Sequence, residues 1–352
     1  MRTLLIMAGG TGGHVFPALT VAGEMKRRGV NVVWLGTRHG LEARAVPQAG
    51  FDIEWITIRG LRGTGVTGLV RLPVLLAVAM FQTLGVVLRR RPSAVLGMGG
   101  FVSGPGALMA WILRIPLLIH EANAIAGFTN RWLARIASRA MTGFPGTLGP
   151  RSIYVGNPVR PEILAVAEPS ARLAGRDGPF RVLIVGGSQG ARSLNARMPE
   201  LLPKMPLTLE IRHQAGKGNS AAVREGYAGA GVEAEVADFI EDMASAYAWA
   251  DLVICRAGAM TVAEICASGS AAVFVPFPAA VEDHQTANAR WMCERKAAWI
   301  WPEEALGPET LSAFFGALSR AEIGERAAKA RGLAVPDSTR RVGDQCAEVL
   351  YA

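Results

Sequence analysis

The sequence predicts an α/β protein with two doubly wound, parallel-sheet domains of about equal size. Five apolar or small residues, Leu4 to Ala8, run into Gly9-Gly-Thr-Gly-Gly-His14, and apolar residues at helical spacing follow as far as Arg28. The same order recurs in the second half, where Arg181 to Val185 leads into Gly186-Gly-Ser-Gln-Gly190 and a helix to Leu202. Short apolar strands that alternate with amphipathic helices are typical of parallel sheets covered on both faces.

Length and composition agree with two domains. The chain has 352 residues, half of them hydrophobic, which is enough for two substantial cores. Gly156-Asn157-Pro158 predicts the start of a linker, so we expect domains over residues 1–157 and 158–335, with a last helix in 336–352 that returns to the first domain. The four cysteines lack metal-ligand spacing and are expected to be core thiols.

Positive charge is concentrated in the first half. Residues 1–157 hold 17 Lys and Arg against 5 Asp and Glu, a net charge of +12, whereas residues 158–352 hold 20 against 24, a net charge of −4. A basic first half predicts an anionic surface or ligand. Nucleic acid is the weaker choice, because the arginines are not interleaved with aromatic residues and no known binding motif appears. Anionic phospholipid is the favoured partner.

The stretch Leu72 to Leu88 is apolar apart from Gln82 and Thr83, and arginines flank it on both sides. Seventeen residues are the lower limit for a membrane span, and a spanning helix would split an α/β domain across the bilayer. A buried or edge helix of the sheet remains an alternative. A helix that rests on the membrane is favoured, since arginines at 59, 62, 71 and 89–91 can each add about 1 kcal/mol near anionic lipid.

The first glycine turn does not match the common nucleotide motifs. Val15 stands where the dinucleotide fingerprint has its third glycine, and no Gly-Lys-Ser/Thr follows, so the turn is not a P-loop. The second strand, Asn31 to Leu35, is followed by Gly-Thr-Arg38, where NAD enzymes carry an acidic residue. This argues against NAD, while Arg38 leaves NADP open.

Polar residues near strand ends are the candidates for chemistry in the first half. His14 lies near the first turn of a helix and is of a type that can carry a proton. A second glycine loop, Gly97 to Gly106, precedes another helix, and two such helix starts in one domain suggest phosphate binding. His120-Glu-Ala-Asn123 follows the predicted strand Ile115 to Ile119, at the edge where open α/β sheets bind ligands.

In the second half, two stretches are candidates for ligand binding. Ala259 to Glu264 begins a helix directly after a strand; its N–H groups suit a uracil or phosphate, and the Glu264 carboxylate suits the paired hydroxyls of a ribose. The polar stretch Glu282 to Asn288 offers amides that could bind a sugar. Arg160, just after the linker, is either a surface charge or a ligand contact.

Seven motifs in order, spread over essentially the whole length, resemble the MurG family of glycosyltransferases. They are Gly9-Gly-Thr-Gly-Gly-His-Val-Phe-Pro17, Gly99-Gly-Phe-Val-Ser-Gly-Pro105, His120-Glu-Ala-Asn123, Val155-Gly-Asn-Pro-Val-Arg160, Gly186-Gly-Ser-Gln-Gly-Ala191, Arg256-Ala-Gly-Ala-Met-Thr-Val-Ala-Glu264 and Asp283-His-Gln-Thr-Ala-Asn288. Two positions depart from the pattern: Ala122 stands where many relatives carry glutamine, and His284 where some carry a second glutamine.

The resemblance implies a GT-B fold, in which two Rossmann-like domains face each other across a cleft. UDP-GlcNAc would bind mainly to the second domain, and a lipid-linked muramyl-peptide acceptor to the first. Ser188 and Arg160 would lie near the diphosphate, Glu264 on the ribose and Gln285 on the sugar. The implied substrate-binding residues are Thr11, Gly12, Gly13, Asn123, Arg160, Ser188, Ile240, Ala259, Met260, Thr261, Val262, Ala263, Glu264 and Gln285.

The implied reaction is an inverting transfer of GlcNAc to the C4 hydroxyl of the acceptor, at the cytoplasmic face of the cell membrane. His14 is the first candidate for the general base and Glu121 the alternative. No Asp-x-Asp motif is present, so neither a metal nor a cofactor is expected. A UDP-GlcNAc 2-epimerase, an NADP oxidoreductase and a non-catalytic membrane scaffold remain alternatives.

Overall fold

The computed structural model describes residues 2–58, 65–187 and 190–352, with backbone alone for 65–72 and 281. The chain divides into two compact units: unit 1 comprises Met1–Pro158 and Asp337–Ala352, and unit 2 comprises Val159–Pro336. The arginines at 59 and 62, and Ser188 of the second glycine turn, lie outside the described residues.

Unit 1 contains a seven-stranded sheet in which every pairing is parallel, in the order β3-β2-β1-β4-β5-β6-β7. Its strands are β1 (Thr3–Met7), β2 (Asn31–Gly36), β3 (Asp52–Trp55), β4 (Ala94–Gly97), β5 (Leu117–Glu121), β6 (Arg139–Thr142) and β7 (Ile153–Tyr154). Its helices are α1 (Gly12–Arg27), α2 (Glu42–Gln48), α3 (Gly65–Arg90), α4 (Ser103–Ile112), α5 (Phe128–Leu133) and the last helix of the chain.

Unit 2 contains a six-stranded parallel sheet in the order β10-β9-β8-β11-β12-β13. Its strands are β8 (Phe180–Val185), β9 (Leu209–Gln214), β10 (Ala234–Ala237), β11 (Leu252–Cys255), β12 (Ala271–Phe274) and β13 (Trp299–Ile300). Its helices are α6 (Pro161–Leu164), α7 (Pro169–Arg172), α8 (Arg192–Leu201), α9 (Ser220–Gly229), α10 (Met243–Trp249), α11 (Ala259–Ser268), α12 (His284–Cys293), α13 (Pro308–Ala317) and α14 (Arg320–Gly332), with 3-10 turns at Leu202–Lys204, Val281–Asp283 and Glu303–Ala305.

Both sheets reverse their strand order at the first strand of the unit. β1 lies between β2 and β4, and β8 lies between β9 and β11. Connections leave these strands toward opposite sides, which opens a crevice at their carboxyl ends, and this is where doubly wound sheets bind ligands. The two glycine turns occupy these two points. The predicted fold class, two Rossmann-like parallel-sheet domains, is confirmed.

Alternation along β1 shows how the sheet of unit 1 is covered on both faces. Leu4 and Ile6 pack in one buried cluster with apolar residues of α1, while Leu5 and Met7 pack in a second cluster with residues of α3 and α4. A strand buried on both faces needs a continuous apolar run, and this explains the sequence of β1.

The last helix, α15 (Ser338–Tyr351), packs against α1 in unit 1. Its buried side chains, Val342, Cys346 and Leu350, belong to the same cluster as Leu4 and Ile6. At its start the Ser338 hydroxyl donates to the carbonyl of Asn157 at 2.9 Å. Farther along the helix, Asp344 pairs at 2.8 Å with Arg28, the residue that follows α1.

Strand ends differ from the sequence-based expectation by a few residues. β5 begins at Leu117 rather than Ile115 and includes His120 and Glu121, which were expected to follow the strand. Both side chains are buried, and parallel pairing to Met141 and Thr142 extends the strand over them. Polar residue type alone could not reveal this pairing.

Helix α3 packs through one side and exposes an apolar outer face. Ala79, Val86 and Val87 lie in the buried cluster with Leu5 and Met7. On the outer face Val74, Val78, Phe81 and Leu88 are exposed, with 74% of Phe81 accessible to solvent. Pro73–Arg90 is long and apolar enough to cross a membrane by length and composition. Because its inner side belongs to the core of unit 1, crossing would remove that contribution to the core.

Unit 2 buries a histidine in a chain of neutral hydrogen bonds. His213 of β9 is fully buried; its Nδ1 lies 3.1 Å from the Tyr227 hydroxyl and its Nε2 lies 3.2 Å from Oδ1 of Asn195. The Asn195 amide nitrogen donates to the carbonyl of Ala215, so its Oδ1 accepts and His213 carries its proton on Nε2. Burial lowers the pKa of His213 to about 4.

Replacing His213 with glutamine should reduce the acid sensitivity of unit 2. Since the folded-state pKa of about 4 lies below the unfolded value of about 6.5, the unfolded chain binds the extra proton, and stability is lost as the pH falls from 6.5 toward 4. Between pH 7 and 4.5 the wild type should lose about 2 kcal/mol more unfolding free energy than His213→Gln. Urea unfolding at both pH values measures the difference, and equal losses would contradict it.

Candidate functional site

In unit 1, two glycine loops meet at backbone distance. Gly10 has φ +91°, and Gly9 N donates to the carbonyl of Gly99 at 3.3 Å. A Cβ at Gly100 would lie 2.3 Å from Gly9 O, closer than any side chain can approach. The contact therefore requires glycine at 100, and it fixes the first loop against the second.

His14 lies in the first turn of α1, where the two loops meet. Its ring is half-buried and covers Gly99, since a Cβ there would lie 2.4 Å from Nδ1 of His14. Thr11 and Gly13 are exposed beside it, and Gly12 is partly so. The structure thus brings the predicted residues Thr11 to His14 together at the carboxyl edge of the sheet.

Glu42 of α2 is a residue that the sequence analysis missed. Its buried carboxylate accepts hydrogen bonds from Gly10 N at 2.9 Å and, on the other oxygen, from Thr37 N at 3.0 Å and Thr37 Oγ1 at 2.7 Å. A glutamate in a short helix is usually solvated, so its residue type carried no signal. The nearby glycines at 36 and 40 were the available clue.

His120 is fixed in one tautomer. Its Nε2 lies 2.9 Å from the carbonyl of Gly156, so Nε2 carries the proton and donates. Burial lowers the pKa of His120, the contacts with Gly156 and Glu121 oppose this, and the charge of His14 lowers it further. His120 therefore remains neutral near His14.

Glu121 anchors the loop that follows β5. One carboxylate oxygen accepts from the backbone N and the side-chain Nδ2 of Asn123, at 2.9 and 3.2 Å. The other accepts from Gly127 N and Asn130 Nδ2, at 3.1 and 2.9 Å. A proton on this carboxylate would displace one of the four donors, so the hydrogen bonds hold Glu121 and the residues after it together.

In unit 2, the second glycine turn is also built by close backbone contact. Gly187 and Gly190 have φ values of +80° and +75°, and a Cβ at Gly190 would lie 2.3 Å from Ala215 O. Ala215 is the residue whose carbonyl accepts from Asn195, so the buried hydrogen-bond chain of His213 ends at this turn.

Glu264 of α11 is held by two side chains. Its Oε1 accepts from Arg160 Nη2 at 3.2 Å, and its Oε2 accepts from the Tyr247 hydroxyl at 3.1 Å. Burial raises the pKa of Glu264, and Arg160 and Tyr247 oppose that shift. Arg160, expected near the diphosphate, thus pairs with the carboxylate expected on the ribose.

The other predicted donor residues divide by exposure. At the start of α11, Ala259 and Val262 are buried, and their side chains pack in the interior. Met260, Thr261 and Ala263 are partly exposed. Ile240 N donates to Oε1 of Gln214 at 3.0 Å, and Oε1 of Gln285 accepts from Phe277 N at 3.0 Å. The amide oxygen of Gln285 is thus used in a contact within the protein.

Two motif residues of unit 2 support the loops rather than face outward. Arg256 donates to the carbonyls of Val275 and Pro276, at 3.0 and 3.1 Å, and pairs with Glu303. Asn288 is buried and donates to the carbonyl of Ala257 at 3.0 Å. Among the residues that the structure describes, no group of three or more His, Cys, Asp or Glu is placed to hold a metal ion.

Comparison with known proteins identifies the family. The models of the N-terminal and C-terminal domains of glycosyltransferase family 28 match residues 4–142 and 181–332. The UDP-N-acetylglucosamine-N-acetylmuramyl-(pentapeptide) pyrophosphoryl-undecaprenol N-acetylglucosamine transferase of Ralstonia nicotianae is 51% identical over 350 residues, which cover 98% of this chain and 96% of that protein. The crystal structure of MurG from Acinetobacter baumannii matches with a TM-score of 0.87 at 42% identity, covering 99% of this chain and all of that one.

The chain belongs to the MurG family. The MurG resemblance seen in the seven motifs is thereby confirmed, and the chain is a glycosyltransferase with the GT-B fold. A UDP-GlcNAc 2-epimerase from Neisseria meningitidis matches with a TM-score of 0.69 but only 12% identity, over 99% of this chain and all of that one, which shows a shared fold alone.

Replacing Glu121 with glutamine should loosen residues 122–130, which form the loop after β5 and the first turn of α5. All four hydrogen bonds to the carboxylate come from N–H donors, so the new amide nitrogen must face a donor in either orientation. We expect a loss of about 1–3 kcal/mol in unfolding free energy and faster amide hydrogen exchange in the loop.

The matched control is Glu348→Gln, because Glu348 belongs to the same unit and is exposed. Its effect should stay within about 0.5 kcal/mol. If the two variants had the same stability and exchange, the anchoring role of Glu121 would be refuted.

Proposed function

We propose that the chain transfers GlcNAc from UDP-GlcNAc to the C4 hydroxyl of undecaprenyl-diphosphate-MurNAc-pentapeptide, with inversion, in peptidoglycan synthesis. The observation that carries the proposal is identity of about half the residues, over nearly the full length, to a transferase named for this reaction. The motifs that carry the resemblance line the carboxyl edges of both sheets.

The donor binds unit 2 in this proposal. The first-turn N–H groups of α11 are available to the uracil or the phosphates, and Glu264 accepts from the ribose hydroxyls. Arg160 pairs with Glu264 in the structure. When the ribose hydroxyls donate to the Glu264 carboxylate, they would replace Arg160 there, and its guanidinium could then bind the diphosphate. A cation and helix N-termini there stabilise the charge of departing UDP.

The acceptor binds unit 1, and His14 removes the proton of its hydroxyl. The imidazole lies at the loop junction, half-buried, whereas the Glu121 carboxylate is occupied by four donors. A general base must come within about 3 Å of the proton that it takes. The exposed Thr11 and Gly13 flank the position that the hydroxyl would occupy.

The membrane partner is anionic phospholipid at the cytoplasmic face, and unit 1 rests on it as a peripheral protein. The exposed apolar face of α3 supports this, as do exposed aromatics on α4 and α5, namely Trp111, Phe128 and Trp132. Arg89 and Arg90 pair with Glu54, and Arg90 also pairs with Asp52. These ion pairs reduce the positive charge that α3 presents to lipid. Burial of the apolar face therefore contributes more of the binding free energy than charge does.

The deciding experiment follows radiolabelled sugar from UDP-GlcNAc, with and without a lipid-diphosphate-linked muramyl peptide. Acceptor-dependent UDP release, with label in the lipid fraction, is the expected result. Conversion of the free sugar nucleotide without acceptor would instead show an epimerase. Absence of both reactions in folded protein would refute the proposal.

His14→Ala should lower kcat by about 10²–10⁴-fold, the usual contribution of a general base. The affinity for UDP-GlcNAc should change little, since Arg160, Glu264 and Gln285, which are proposed to bind the donor, lie in unit 2. Steady-state rates and a donor titration measure the two quantities. His39→Ala, which removes an exposed histidine of the same unit, is the control, and near-normal turnover of His14→Ala would exclude His14 as the base.

Phe81→Ser should weaken binding to vesicles of anionic phospholipid about tenfold or more. Burying one phenylalanine side chain is worth about 1.5–3 kcal/mol, and tenfold in affinity corresponds to 1.4 kcal/mol. Tyr351→Ser removes another aromatic ring, 59% exposed, from α15 and should leave binding unchanged. Co-sedimentation compares the two variants, and equal binding would argue against the α3 face.

A further inference from the structure

Glu42 is a buried charged side chain that the proposed reaction leaves without a role. Its side chain is fully buried, and among the described residues it forms no ion pair with a basic side chain. Three donors from the backbone and side chain of Gly10 and Thr37 surround it instead. A carboxylate removed from water is costly unless such donors compensate it.

The space around this carboxylate exists because three neighbours are glycines. A Cβ at Gly9 would lie 2.8 Å from Oε1 of Glu42, one at Gly36 would lie 2.8 Å from Cγ, and one at Gly40 would lie 2.0 Å from Oε2. The carboxylate therefore fills a cradle from which three side chains are missing. Gly9 of the first turn, together with Gly36 and Gly40, thus makes room for a side chain of the protein.

The cradle lies at the start of α1, where other doubly wound sheets hold a ligand's phosphate. In those proteins the N–H groups of the glycine turn and the positive end of the helix dipole bind the anion. Here Gly10 N, directly before the helix N-cap Thr11, donates to Glu42. A second bond, from Leu41 N to Gly10 O at 3.3 Å, holds the same residue from the other side.

We infer that Glu42 is a positioning residue whose carboxylate occupies the anion position of the first glycine turn. It sets the backbone from which His14 projects, and it excludes a phosphate group from Gly10 N. The acceptor diphosphate must then use other donors of unit 1. The inference deepens the proposed function and rests on it, because His14 acts as base only in that reaction.

The first test uses formate, a carboxylate small enough to replace the lost group. Glu42→Ala leaves three donors without an acceptor, so formate should raise its melting temperature more than the same concentration of chloride does. Wild type should show no difference between the two anions. Val46→Ala is the matched control, because Val46 is a buried residue of the same helix and removing its apolar side chain leaves no hydrogen-bond donor without an acceptor.

The second test separates kcat from KM. A displaced base should lower kcat of Glu42→Ala by about 10–100-fold, while KM for UDP-GlcNAc stays within about twofold, and formate should restore part of kcat. Glu42→Gln keeps the volume, so it should fold. Its amide nitrogen must face Gly10 N or the Thr37 donors, so kcat should fall. Formate should not restore kcat in this variant, because the glutamine side chain still fills the space of the carboxylate.

The outcomes distinguish this inference from the proposed function. The positioning role would be overturned if Glu42→Gln kept the wild-type kcat. It would also be overturned if the KM of Glu42→Ala for UDP-GlcNAc rose by as large a factor as its kcat fell. If formate raised the melting temperature of Glu42→Ala no more than chloride does, the inference that the carboxylate occupies an anion position would be overturned. If Glu42→Ala does not fold, the kinetics of Glu42→Gln test the inference instead. A wild type without acceptor-dependent transfer would refute the proposed function alone, since the formate measurement needs no turnover.

Discussion

Close backbone approach at the glycine turns is the constraint on which both candidate sites depend. In unit 1 the carbonyl of Gly9 meets Gly100, and in unit 2 the carbonyl of Ala215 meets Gly190, each leaving too little room for a Cβ. These contacts place helix starts at the points where the strand order reverses. His14 and the donor residues acquire their positions from the backbone, so side-chain chemistry here depends on residues that have no side chain.

The sequence was sufficient to predict the fold class, because hydrophobic runs and glycine turns are local signals. Strands β1 and β8 read as continuous apolar segments, and the glycine turns after them mark the helix starts. Strand ends were harder to predict. His120 and Glu121 belong to β5 because a neighbouring strand pairs with them, and pairing between distant segments leaves no trace in a polar residue type.

The candidate site was predictable only in part, and for a related reason. Motifs identified His14 and Glu264, but they could not distinguish a ligand contact from a support. Glu121 accepts four hydrogen bonds from residues that follow it, Val262 is buried in the core, and Arg160 pairs with Glu264. Glu42 was missed because its importance comes from burial, and burial is decided by Gly36 and Gly40 lying beside it in space.

The last helix has a consequence for how the chain folds. Residues 337–352 supply Val342, Cys346 and Leu350 to a core whose strands all precede residue 158. During synthesis, unit 2 can therefore gather all of its parts before unit 1 can. The half of the protein made first is completed last, and until then the α1 surface that α15 covers is open to water and to other nascent chains.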